Sequence, residues 1–318
     1  MPKISVIVCT IRPNTLPHAV QSIRAQTYSD WELLVVDQSG ASDTADYLES
    51  LRDPRIKHVA QEVRGASNAR NGGIHAASTD LLAYMDDDCE AEPDWLAEIW
   101  DLMQHQEVDI LCGPLVPPPT YRPGLEFCPA YPVPQMEVYT WDAVARDIGT
   151  GLSANMVLRR STVETLGTFD TVLGAGSTRI PSGEETDYVL RALAHGLRVI
   201  SAPTPPVHHT FGVRPGAEGK RLEDVGNFGV GAVHAKQLLA PYGAVARPYL
   251  DQLYRYLRRH VLVNVLRGRR RHLGIRRLQA LLKGRAYVRH HFQVDTNALL
   301  VSRSLQACVS AQKSGTPI

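Results

Sequence analysis

Two periodicities trade places along the first 116 residues, and this alternation constrains the fold more than any other feature of the chain. ISVIVCT (4–10) is an unbroken apolar run of strand length, and residues 14–26 then carry Leu16, Ala19, Val20 and Ile23 at helical spacing. WELLVVD (31–37) is a second buried strand, followed by a QSGASD turn and a helix through Leu51. Ile56 to Val59 reads as a short third strand, 66–77 as a helix and LLAYMD (81–86) as a fourth strand. Residues 93–105 follow as a helix opened by Pro93, and VDILCGPLV (108–116) is strand-like again. Apolar strands alternating with amphipathic helices imply an α/β fold, a mostly parallel sheet covered on both faces. Ligands of such open sheets sit beyond the carboxyl ends of the strands. That rule singles out Thr10, Arg12, Asp37 and Asp86 to Asp88.

The pattern breaks at 117–150, where Pro117 to Pro119 and four further prolines up to Pro134 mark a surface excursion of the kind that shapes a site. LSANMVLRR (152–160) then reads as a strand, 161–167 as a short helix, 184–195 as a helix and LRVISAP (197–203) as a strand, with VHHTFG (207–212) closing the unit. The Gly/Ser-rich stretch 174–183 is expected to be mobile. The expected organisation is a catalytic domain over 1–215, a Gly-rich bridge with two or three basic amphipathic helices over 216–295, and a flexible tail over 296–318.

Composition excludes several classes. A chain of 318 residues that is 44% apolar and 21% charged can form a core, so disorder is not its main state. No run of about 18 apolar residues marks a membrane span. MPKISVIVCT lacks a small-residue cleavage site and reads as a first strand, not a signal peptide. Cys9, Cys89, Cys112, Cys128 and Cys308 are scattered and form no CxxC pair, which argues against disulfides or a thiolate zinc site and fits a reducing cytosol. The net charge of +1 hides an asymmetry: from Gln252 to Val294 there are twelve Lys or Arg and no acid.

Four patterns carry chemistry. YMDDDCE places three carboxylates at a strand exit, and Asp86 and Asp88 point the same way if the extended geometry continues. Two hard oxygen ligands suit Mg²⁺ or Mn²⁺, which also bind phosphates; a solvated acidic turn is the alternative. GEETDY (183–188) opens a helix with Glu184, Glu185 and Asp187. Helix-dipole preference explains acids there, and so does a general base. His208 and His209 follow a strand and point to opposite faces if extended, so at most one completes a metal site. In GASNARNGGI, Arg70 and Asn71 lie beside two glycines that permit close backbone approach to a phosphate, or simply open a helix.

Taken in order, VIVCTIRP, LLVVDQSG, ASNARNGG, YMDDDCE, GLSANMVLRR, FDTVLGAGS, GEETDYVLRALAHG and VHHTFG resemble the family 2 glycosyltransferases over about residues 3–212. The resemblance implies the GT-A fold and metal-assisted, inverting transfer from a nucleotide-diphosphate sugar. It implies that Thr10, Arg12 and Asp37 line the base and ribose, that Arg70 and Asn71 support the nucleotide, and that Asp86 to Asp88 meet the diphosphate. Asp86 and Asp88 would hold the metal with His209, or His208 as fallback. Gly151, Ser153, Asn155 and Glu184 would lie beside donor sugar and acceptor. Glu185 would be the base, standing where the family has Asp, with Asp187 as the next candidate. Gln38 also departs from the acid or Asn frequent at its position. UDP- or dTDP-sugar donors and glycan or lipid-linked acceptors are implied on the same ground.

The basic stretch 250–291 carries Leu250, Leu253, Leu257 and Leu278 at helical spacing. It suits either an anionic membrane surface, with a cytoplasmic enzyme peripheral to the inner face of the plasma membrane, or packing of its leucines on the catalytic domain. Nucleic acid is not expected as a partner, since no binding motif is present. A non-catalytic nucleotide-sugar-binding or membrane-surface scaffold is the competing class. A sugar nucleotidyltransferase is disfavoured, because VCTIRPNTLP has no glycine.

Overall fold

The computed structural model describes residues 3–146, 151–266 and 272–303. The arginine cluster Arg267 and Arg269 to Arg271, and the tail beyond 303, lie outside the described residues. The order is β1 (Ile4–Thr10), α1 (Leu16–Arg24), β2 (Trp31–Asp37), α2 (Ser42–Ser50), β3 (Ile56–Ala60), α3 (Ala66–Ala76), β4 (Leu81–Asp86), β5 (Glu90–Ala91) and α4 (Trp95–His105). Then come β6 (Ile110–Cys112), β7 (Leu115–Val116), β8 (Glu126–Phe127), β9 (Glu137–Val138), α5 (Trp141–Ala145), a 3₁₀ turn (Ser153–Asn155), β10 (Met156–Arg159) and α6 (Arg160–Leu166). The chain continues with α7 (Glu184–Ala194), β11 (Val199–Ser201), β12 (Val207–His208), β13 (Arg214–Pro215), α8 (Gly216–Leu239), α9 (Gly243–Leu266), α10 (His272–His291), β14 (Phe292–Val294) and β15 (Leu300–Ser302).

Eight strands form the main sheet in the order β3-β2-β1-β4-β10-β6-β11-β9. β3, β2, β1 and β4 run parallel, and β10 lies antiparallel between β4 and β6. Both faces are covered, as the continuous apolar runs require. Val6, Val8, Leu33 and Val35 meet Leu16, Val20 and Ile99 on one side. Their neighbours Ile7, Leu34 and Val36 meet Ala69, Ile74 and Tyr188 on the other. This is the period of two expected of strands buried on both faces.

Several expectations need correction. VDILCGPLV is two strands in different sheets, β6 in the main one and β7 in the three-stranded sheet β5-β12-β7. Pro114, which has no N–H to donate, stands at the break. In LSANMVLRR only Met156–Arg159 is strand. The 174–183 loop is tied down: Ser177 Oγ donates to the Val172 carbonyl (2.7 Å), and Ala66 N–H donates to the Ala175 carbonyl (2.8 Å). Part of the tail pairs, β15 with β14.

The Gly-rich bridge is helical. Gly226, Gly229 and Gly231 lie inside α8, although interior glycines each cost about 1 kcal/mol of helix propensity. At Gly231 the compensation is a backbone-to-backbone crossing with α10, and at Gly229 a close approach to Ser182. A Cβ on Gly231 would overlap the Leu281 carbonyl, and one on Gly284 the Phe228 carbonyl. Gly231→Val should therefore separate α8 from α10 and destabilise the fold by about 1–3 kcal/mol or more, read by urea unfolding. An unchanged midpoint would disprove the close crossing. The appendage shares a core with the rest of the chain: Leu173, Ile180 and Leu190 pack with Val233, Leu250 and Leu281. Leu253 and Leu257 are likewise buried, whereas Leu262 is exposed.

Candidate active site

Ladder register brings the strand exits to one edge. Thr10 pairs with Asp37 and Cys9 with Asp86, while antiparallel β10 begins there, Met156 opposite Tyr84. The extended geometry does not continue past Asp86. The chain turns, with Cys89 N–H donating to the Asp86 carbonyl (3.2 Å), so the three aspartates face different groups.

Asp87 accepts from Thr10 Oγ1 (2.7 Å) and pairs with Arg12, whose other guanidinium nitrogen lies 3.0 Å from Asp88. Asp88 is buried, with His209 Nε2 at 3.3 Å and Arg214 at 3.8 Å. Burial works against the Asp88 charge. The His209 hydrogen bond and the Arg12 and Arg214 charges overcome it, holding the carboxyl below its usual range. His209 is raised in return: desolvation opposes the imidazolium, but Asp88 favours it more. Asp86 keeps 39% of its side chain exposed. Its carboxyl is raised by desolvation in the cleft first, with Arg70 opposing and Asp88 adding repulsion.

The Asp88, Cys89 and His209 donor atoms lie within 4.8 Å of one another. Burial pushes the Cys89 thiol well up, and a thiolate is in any case a soft donor that a hard cation does not favour. What remains, an anionic carboxylate beside an imidazole with exposed Asp86 nearby, fits a hard divalent cation. His208 does not join this group. It faces the opposite side of β12, with Nε2 at 2.6 Å from Glu92.

A second cluster adjoins the first through Arg70. This buried guanidinium donates to Glu184 Oε1 (2.7 Å) and Ser153 Oγ (2.6 Å) and lies 3.8 Å from Asp86. Burial disfavours its charge, but Glu184 and Asp86 raise its pKa regardless. Glu184 is thereby occupied. Glu185 is not: its Oε2 is buried without a hydrogen-bond partner. Its carboxyl is held well above the usual range by desolvation and then by Glu184, with Arg70 opposing. Gly151 closes the cleft with φ +80°, and a Cβ there would stand 2.6 Å from Cys112 Sγ.

Three expected contacts are spent on the scaffold. Asn71 donates from Nδ2 to the Phe169 carbonyl and accepts from the Phe169 N–H, both at 2.9 Å. Asn155 accepts from Trp95 Nε1 and donates to the Pro114 carbonyl, also at 2.9 Å. Asp187 is fully buried against Arg191, Lys236 and Gln237. Asp37 accepts from Ser39 N–H (2.8 Å) and lies 3.0 Å from His58 Nε2. Gln38 clamps the 63–65 backbone. Arg214 escaped sequence reasoning, since no spacing distinguishes it from the other arginines.

A mostly parallel sheet flanked by helices, with Asp86 to Asp88 at a strand exit and Glu184 and Glu185 opening α7, has the GT-A architecture. The model of the family described as Glycosyl transferase family 2 matches residues 5–166. The chain belongs to that family and is a glycosyltransferase. Glu184, Glu185 and His209 lie beyond the matched residues. Among similar proteins, the glucosyl-dolichyl phosphate glucuronosyltransferase of Haloferax volcanii is 27% identical over 222 residues, 65% of this chain and 69% of that protein. The O-antigen biosynthesis protein RfbC of Myxococcus xanthus is 31% identical over 229 residues, 65% of this chain but 17% of its own length. The GalNAc(5)-diNAcBac-PP-undecaprenol beta-1,3-glucosyltransferase of Campylobacter jejuni is 36% identical over 95 residues, 28% of this chain and 31% of that protein. Among solved structures, S. aureus TarS 1–349 in complex with UDP-GlcNAc superposes with a TM-score of 0.58 at 16% identity. The match covers 80% of this chain and 73% of that one, and it bears on the fold.

Proposed function

We propose that the chain transfers a sugar from a nucleotide-diphosphate donor to an acceptor hydroxyl of a glycan or lipid-linked glycan, with inversion. The observation that carries this reading is the buried Glu185 Oε2 without a hydrogen-bond partner, next to Glu184, which shares Arg70 with Asp86. Glu185 takes the acceptor proton as the hydroxyl attacks the anomeric carbon. Arg70 fixes Glu184 and Ser153 beside the donor sugar. Thr10, Arg12 and Asp37 border the nucleoside, with Asp37 held ionised: burial opposes the charge, but Ser39 and His58 outweigh it.

Asp88 and His209, with Asp86, would hold Mg²⁺ or Mn²⁺. When bound, the ion offsets charge developing on the departing diphosphate. The catalytic unit is residues 1–215, and 216–295 forms an appendage built onto it. No described helix is long and apolar enough to cross a membrane. Relatives named for lipid-diphosphate acceptors support a lipid-linked substrate, and an enzyme acting on one would work at a membrane surface.

The first test is thermal stability against UDP, dTDP and GDP with and without Mn²⁺. A ligand at about 100 times its Kd adds roughly 2.7 kcal/mol. A Mn²⁺-dependent shift with one nucleotide, lost in Asp88→Ala, is expected. A shift equal in Asp88→Ala would remove the metal role of Asp88. The anomeric configuration of the product, read by NMR, decides inversion.

A further inference from the structure

We propose that the groove between α9 and α10 is a second anion site, separate from the strand exits, that takes a phosphate or diphosphate group. The groove has a volume of about 690 Å³. Tyr254, Arg255 and Arg258 line it from α9, and Arg285, Arg289 and His290 from α10. Their spacing places each set on one helical stripe, so two basic stripes face each other. Asp251 is the single acid on its wall. Among the described residues, Arg255, Arg258 and Arg289 form no ion pair. Four guanidinium groups gathered around one carboxylate, Asp251, repel one another, and an anionic occupant relieves that repulsion.

The second observation is Tyr254. Its side chain is 4% exposed, yet its hydroxyl has no hydrogen-bond partner of good geometry. The Arg285 guanidinium lies over the ring, 4.6 Å from its centroid. A buried hydroxyl normally finds a partner. The polar group against this hydroxyl is the Arg285 guanidinium, a cation that donates and cannot accept, so the phenol proton is left without an acceptor. The positive field reaches His234, whose ring centroid is 5.8 Å from that of Tyr254. Burial first, then Arg285 and Arg277, push His234 down to about 3.

Guanidinium forks match phosphate oxygens in pairs. Four of them offer more donors than one phosphate can use, and a diphosphate satisfies them better. The groove shares no lining residue with the candidate active site, so the proposal stands independently of the transfer chemistry.

The test is calorimetric titration of the full chain with inorganic pyrophosphate in EDTA, where the acidic strand exits repel anions. Wild type should bind at one site. Arg255→Ala with Arg289→Ala should weaken binding by about a hundredfold or more, since it removes two charge-assisted contacts. Tyr254→Phe keeps the ring and removes only the donor, and should weaken binding about threefold or more. Arg52→Ala with Lys220→Ala removes equal charge from exposed positions elsewhere and should leave binding unchanged. Phosphatidylcholine vesicles with and without phosphatidylglycerol identify the source. Sedimentation with the anionic vesicles, lost in the groove variant, assigns a lipid headgroup; pyrophosphate binding without vesicle binding assigns a soluble group. No pyrophosphate binding by wild type, equal weakening in the two double variants, or full binding by Tyr254→Phe would overturn the proposal.

Discussion

Glu185→Gln is expected to lower the transfer rate by about 10²–10⁴-fold, the range a positioned general base supplies. The amide keeps the shape of the side chain and cannot accept the acceptor proton. Glu184→Gln should act differently, because Glu184 Oε1 is already bonded to Arg70, and the amide keeps an acceptor there while removing the charge that balances the guanidinium. The pH profile separates the two roles. Burial and the Glu184 charge hold the Glu185 proton well above the ordinary carboxyl range. A base must be deprotonated, so kcat/KM of wild type should climb with pH as that proton is lost. In Glu185→Gln the limb should vanish along with the rate, while the nucleotide-induced rise in Tm persists. Glu185→Asp keeps a base one methylene shorter and should retain part of the activity. A Glu185→Gln enzyme with near wild-type turnover, or one that keeps the limb, would remove Glu185 from catalysis.

Much of this architecture is legible in the chain, for a physical reason. β1, β2 and β4 are buried on both faces, so their runs are apolar but for Ser5 and Glu32, which bond each other, and the polar residues at their ends, and α1 buries the four residues its spacing marks. The carboxylates of 86–88 stand out because they follow such a run directly. What escapes depends on partners distant in sequence. Asn71 looks like a ligand contact until Phe169 meets it, and Asn155 until Trp95 and Pro114 do. The turn after Asp86 redirects Asp88 toward His209, a change no local periodicity announces. Gly231 of α8 resembles a linker glycine because the α10 backbone at Leu281, which requires it, lies fifty residues downstream. Strands of two residues, β5, β7 and β12, are too short to show any period.

The same limit hides Lys236, whose replacement carries the largest expected effect on stability. In sequence it is one lysine in a stretch of small apolar residues. In the fold it is fully buried, with Nζ 2.8 Å from both Asp170 and Asp187. Asp187 also receives Arg191 Nε at 3.0 Å and Gln237 Nε2 at 2.9 Å, and Asp170 accepts the Leu300 N–H at 2.9 Å. Two cations and two anions balance, tying α8 to α7 and to the loop before it. Lys236→Met fills the space with a chain of similar length and leaves two buried carboxylates sharing one arginine. Breaking a buried pair from one side costs about 3–5 kcal/mol. In the variant one carboxyl should bind a proton in the folded state that it does not hold unfolded. That contribution is present at low pH and lost as pH rises through the raised folded pKa, so the stability deficit should be larger at neutral than at mildly acidic pH. The effect should also reach catalysis, because α7 carries Glu185 in its first turn. Turnover is expected to fall more than nucleotide affinity, which the strand exits supply. Urea unfolding across pH gives the first answer, and a deficit below about 1 kcal/mol would show that the ion network is incidental to the junction.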